Sequence, residues 1–163
     1  MREEATGKTG RPTETRTKPE RPRDLLGRPL DWDAENLLVL EDYDALTIDQ
    51  NHALARGHVR AGRYFPAHEA WETAWKQARD TADAEFFKGL SQMGAGYVHL
   101  LRGNAHGAVT LLRRASGRVA RYADGHRDIP TAALHARLEA DAASVESGDL
   151  VPGADVAIDP PPV

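Results

Sequence analysis

The order of apolar and polar positions divides the chain near Thr47. Upstream, apolar residues are sparse as far as Gly27, then bunch in "PLDWDAENLLVLEDYDAL" with no settled period. Downstream they return every third or fourth residue, the spacing of amphipathic helices. In "TIDQ", Thr47 and Gln50 stand three apart as a capping box. The helix they open is predicted to run to about Ala61 and stop at Gly62. "RYFPAHEAWETAWKQA" is the second helix, with Pro66 tolerated in its first turn. "DAEFFKGLSQMGAGYVHLLR" is the third and ends at Gly103; Asn104 caps the fourth, "AHGAVTLLRRASGRVARY". Pro130 opens the fifth, "TAALHARLEADAASVES". Clean period-two runs between turn pairs are missing. The fold class is therefore all-α, a four- to five-helix bundle built from two helical hairpins. Residues 1–28, rich in Arg, Thr, Glu and Pro, read as a disordered leader. Residues 29–46 read as a partly ordered connector, 47–147 as the helical domain and 148–163 as a loose tail.

The hairpin occurs twice. "HVRAGRYFPAHEAW" (58–71) aligns with "HLLRGNAHGAVTLL" (99–112) at an offset of 41, so that His58 falls on His99, Gly62 on Gly103, Ala67 on Ala108 and Trp71 on Leu112. A left-handed glycine ends the first helix of each pair, and a small alanine on the second lets the two cross closely. The pattern resembles the tetratricopeptide hairpin. The offset of 41 departs from that repeat's 34 residues, which speaks against a regular solenoid.

Candidate chemistry lies on the second and third helices. With about 100° per residue, His68, Trp71, Glu72 and Trp75 share one arc of about 100°, with Glu69 at its rim. On the third helix Phe86, Leu90, Met93, Tyr97 and Leu101 form an apolar face. Beside it Glu85, Gly89, Gln92, Gly96 and His99 fall within about 80°. Each mid-helix glycine costs about 1 kcal/mol against alanine, so another helix or a ligand is expected against the backbone there. Three arrangements fit. One is a buried polar network of His68 and Glu72 with Gln92 or His99 opposite. A second is a groove between the second and third helices, walled by Trp71, Trp75 and His68 and floored by Gly89 and Gly96, for a small ligand or a protein partner. A third is a metal-assisted hydrolytic site of His68, Glu72 and His99, although "HEAWE" lacks the second histidine of H-E-x-x-H. Binding is the leading expectation, with no cofactor and no resident metal. Ser91 and Ser116 show no triad order, and His52, His106, His126 and His135 read as solvated or capping. The run Arg113, Arg114, Arg118 and Arg121 reads as a solvated face.

Composition narrows the classes further. The 163 residues carry a net charge of −4, unevenly: 1–28 hold eight Lys/Arg against five Asp/Glu, the rest 13 against 20. An acidic body argues against nucleic acid as the partner. Cysteine is absent, which excludes disulfides and thiolate metal sites and makes the cytoplasm the expected compartment. No apolar run approaches the roughly 20 residues needed to span a bilayer, and "MREEATGKTG" has no signal-peptide core. An uncovered helix face leaves a homodimer as a further expectation.

In combination, A-H-E-x-x-E-x-x-W, F-x-G-L-x-Q and H-x-x-R-G-N-x-x-G-A resemble domain-of-unknown-function family 309, small all-helical prokaryotic proteins, over about residues 47–124. The resemblance marks His68, Glu69, Glu72, Trp75, Phe87, Gly89, Leu90, Gln92, His99, Gly103, Asn104, Gly107 and Ala108, and implies a helical fold without naming an activity. Trp71 departs from the aliphatic or phenylalanine that the pattern favours.

Overall fold

The computed structural model describes residues 19–163. Five α-helices follow one another: α1 (Ile48–Arg60), α2 (Tyr64–Gln77), α3 (Ala84–Leu101), α4 (Ala105–Val119) and α5 (Thr131–Ser147). Short 3-10 turns precede α1, at Tyr43–Ala45, and α5, at His126–Asp128. No strand occurs among the described residues; Arg23 and Pro29 form one isolated antiparallel bridge.

Several helix ends are set by local chemistry the sequence carries. The Thr47 hydroxyl accepts from the Gln50 amide and the Gln50 side chain accepts from the Thr47 amide, a complete capping box. Asn104 caps α4 by accepting from the Gly107 amide at 2.9 Å. Gly62 and Gly103, at φ of +73° and +82°, turn the chain between α1 and α2 and between α3 and α4.

Each helix packs mainly on its neighbours in sequence, α1 on α2, α2 on α3, α3 on α4 and α4 on α5. The core lies along α3, whose Phe86, Phe87, Leu90, Met93, Tyr97 and Leu100 are fully buried. Trp71 enters from α2, Leu112 from α4 and Leu134 and Leu138 from α5. Leu101, predicted on the same apolar face, is only partly covered.

The repeat survives as geometry at the two hairpin corners. Arg63 donates from Nε to His58 Nδ1 at 3.0 Å, and Asn104 Nδ2 meets His99 Nδ1 at 2.9 Å. The Arg63 amide donates to the His58 carbonyl and the Asn104 amide to the His99 carbonyl, at 2.8 and 2.9 Å. At both corners the residue opening the second helix pins a histidine that ends the first. Ala67 and Ala108 are wholly buried, as close crossing requires.

The two flanks differ from expectation. Residues 1–18 of the expected leader lie outside the described residues. Its last ten, 19–28, are folded onto the domain. The Asp24 carboxylate accepts from the Leu26 and Arg28 amides and from the Arg28 side chain, closing a turn. Arg102 donates to the Leu26 carbonyl, and Gly27 lies flat against the Phe65 ring, where a Cβ would stand 2.2 Å from Cε2. The connector supplies Tyr43 and Leu38 to the interior. Residues 148–163, expected loose, are laid back across the helices. The Gly153 amide donates to the Leu100 carbonyl at 2.9 Å and Arg60 donates to the Val163 backbone oxygen at 2.8 Å. Leu150, Val156, Ile158 and Val163 pack against the core.

Candidate metal centre

The predicted site residues separate into two groups. Gly89 and Gly96 do not floor a pocket. A Cβ at Gly89 would stand 2.9 Å from Arg118 Cβ, and one at Gly96 2.9 Å from Leu112 Cδ2, so both glycines admit α4. Gln92 also turns to α4, accepting from Arg118 Nε at 3.0 Å, while Arg118 Nη1 pairs with Glu85 at 2.6 Å. Arg118, read as solvated, is therefore a link between helices. His99 is held at its corner by Asn104 and pairs with neither His68 nor Glu72. Trp71 is buried in the core and does not wall a groove. Trp75 is half-buried, with Lys88 Nζ 5.0 Å from its ring centroid. Between α2 and α3 the contact is closed at Gly94, where a Cβ would lie 3.0 Å from the backbone of His68.

What remains is a cluster on one turn of α2. His68, Glu69 and Glu72 each present a ligand atom, all within 4.8 Å of one another, and all three side chains are partly exposed. His68 Nε2 lies 3.4 Å from a Glu72 oxygen and 3.8 Å from Glu69. The other Glu72 oxygen meets Lys76 Nζ at 2.7 Å, which fixes the carboxylate. On the far side of the ring His68 Nδ1 faces the Ser91 carbonyl at 3.0 Å and the Ser91 hydroxyl at 2.9 Å. The Ser91 hydroxyl in turn donates to the His68 carbonyl at 3.2 Å. A carbonyl can only accept, so the proton sits on Nδ1 and Nε2 offers its lone pair outward.

The Ser–His pairing was not legible in the sequence, because the partners are 23 residues apart. It is not a nucleophile arrangement. Ser116 and His135 repeat it between α4 and α5, with the hydroxyl 2.6 Å from Nδ1 and directed also at the His135 carbonyl. Both serines are buried, and in each case the pair clasps two antiparallel helices. His135 is thus no solvated residue. Nor is His126, which meets Asp83 at 2.7 Å, or His52, which is buried and accepts from Trp71 Nε1 at 3.0 Å; only His106 stands exposed as expected.

Fold and cluster together define an all-helical domain of two corner-matched hairpins and a fifth helix, with one histidine and two carboxylates gathered on the second. Residues 53–111, the stretch that holds the cluster and both corners, match the family model described as Domain of unknown function (DUF309). No curated protein and no solved structure matches the chain. Among the described residues no helix is long and apolar enough to cross a membrane.

Proposed function

We propose that this domain binds a divalent first-row cation, Zn2+ or Mn2+, through His68 Nε2 and one oxygen each of Glu69 and Glu72. The observation that carries the reading is the orientation of His68. A metal-ligating imidazole commonly donates its second N–H to a backbone carbonyl, which fixes the tautomer and the ring plane. The Ser91 carbonyl supplies that bond at 3.0 Å. Ligands about 2.0–2.2 Å from a tetrahedral ion stand roughly 3.4 Å apart. The 3.4 and 3.8 Å separations from Nε2 to the two carboxylates match that spacing. One nitrogen and two carboxylate oxygens suit zinc or manganese better than a soft, thiolate-seeking ion. Glu69 takes the place that the sequence reading gave to His99. The reading is one of binding, since Ser91, the hydroxyl beside the histidine, is buried in the α2–α3 contact.

Calorimetric titration of the chelator-treated full chain with ZnCl2 and with MnCl2 tests it. One saturable site is expected, weakened at least about tenfold by His68→Ala or Glu72→Gln. Ser91→Ala should weaken it by less than about tenfold, because the backbone carbonyl that orients His68 is kept. A His68→Ala variant that binds as tightly as the parent protein refutes the assignment.

A further inference from the structure

A second feature lies away from the cation cluster and shares no residue with it. The turn at 24–28, the extended segment 37–39, the α1–α2 corner and the end of α3 enclose an open cleft of about 630 Å³. That volume falls among small-molecule pockets, about 300–1,000 Å³. Leu26, Leu37, Val39, Pro66 and Leu101 make its walls. The described residues leave few large apolar side chains in water, and three of them line this cleft: Leu25 at 68%, Leu37 at 48% and Val39 at 81% exposure. Apolar surface gathered round a concavity marks a binding site more often than singly scattered residues do.

The charges at the rim are unequal. Asp24 and Arg28 neutralise each other at 2.7 Å. Arg63 spends only Nε, on His58, and its two terminal nitrogens make no hydrogen bond among the described residues. Arg63 also opens α2, whose first turn has no side-chain cap, so the field there is positive. An apolar cleft with one uncommitted guanidinium in its lining is complementary to an aliphatic chain bearing a carboxylate. We infer that the cleft takes a medium- or long-chain fatty carboxylate, tail along Leu26, Leu37 and Val39, head on Arg63.

The test is calorimetric titration of the full chain with laurate, decanoate, dodecanol and dodecyltrimethylammonium, each below its micellar concentration. Laurate is expected to bind one to one, about tenfold more tightly than decanoate, because two methylenes are added to a buried tail. Loss of the head charge in dodecanol, or Arg63→Gln, should weaken binding about tenfold. Val39→Asp, at a site too exposed to disturb folding, should abolish it. Circular-dichroism melting confirms that both variants are folded. The proposal is overturned if laurate shows no saturable binding, if the cationic amphiphile binds as well as laurate, or if Val39→Asp leaves binding intact. It is equally overturned if the protein is a dimer in light scattering that Val39→Asp converts to a monomer, since a second copy then covers the cleft.

Discussion

The indole of Trp71 is wholly buried, so its N–H needs an acceptor inside the core. His52 Nδ1 supplies it at 3.0 Å, and that leaves Nε2 to donate to the Arg127 carbonyl at 2.9 Å. The indole at position 71 and the burial of His52 are thus one feature. The sequence held its signal, since His52, Ala55 and Val59 share the helical period, but a lone histidine on an apolar face does not announce its partner. Tyr64 shows the opposite case. Its ring stacks on Tyr97 with centroids 4.8 Å apart, yet its buried hydroxyl has no hydrogen-bond partner among the described residues. Burial, with Asp141 and Asp159 nearby, pushes the phenol up to about 12. An unsatisfied buried hydroxyl is unfavourable, so Tyr64→Phe should raise stability by about 1 kcal/mol in denaturant titration. A loss of stability would mean that the hydroxyl does find a partner.

At the scale of the element, the ends of α1, the end of α3 and the start of α4 were legible because they rest on local chemistry: the Thr47–Gln50 box, Gly62, Gly103 and the Asn104 cap. The glycine stripe was legible only as a demand for a close neighbour. Which neighbour it was depended on packing between helices, which sequence spacing does not encode; the answer was α4 for both Gly89 and Gly96. This division predicts a contrast between glycines on similar helical backbone. A Cβ at Gly57 on α1 would meet nothing within 4 Å. Gly57→Ala should therefore stabilise by about 0.5–1 kcal/mol. Gly96→Ala forces Leu112 away from a 2.9 Å approach and should destabilise by about 1–3 kcal/mol despite the better helix former. Equal effects in paired melting curves would show that α3 and α4 do not meet as closely as this.

At the scale of the whole molecule, residues 19–28 and 148–163 escaped the reading because they have no period. They are held by single anchors such as Asp24, Arg102 and Gly153, which composition does not distinguish from loop residues. Deleting 149–163 strips Val156, Ile158 and Val163 from the core, and should cost at least about 1.5–3 kcal/mol, the burial of one such side chain. An unchanged melting temperature would return the segment to a loose tail. Acid should loosen the molecule in two steps, through two buried histidines and then a paired carboxylate. Burial lowers His52 and His58 below the usual 6.5. The unfolded chain then takes up protons at those sites before the native one does. Their contribution is complete above about pH 6.5, begins to fall as pH drops below that value, and is lost on passing through the folded values. A second loss follows at lower pH. Burial alone would raise the Asp83 carboxyl, but bonds from Arg127 and His126 together hold it below 3.8. Its contribution is present above that unfolded value and disappears as Asp83 protonates in the native state. Denaturant midpoints should thus decline between pH 7.5 and 5.5. His52→Gln, which keeps a neutral hydrogen-bonding group without a titrating ring, should be less stable at pH 7.5 but flatter across that window. A midpoint that rises as pH falls through 6.5 would place the two histidines in their charged form in the native core.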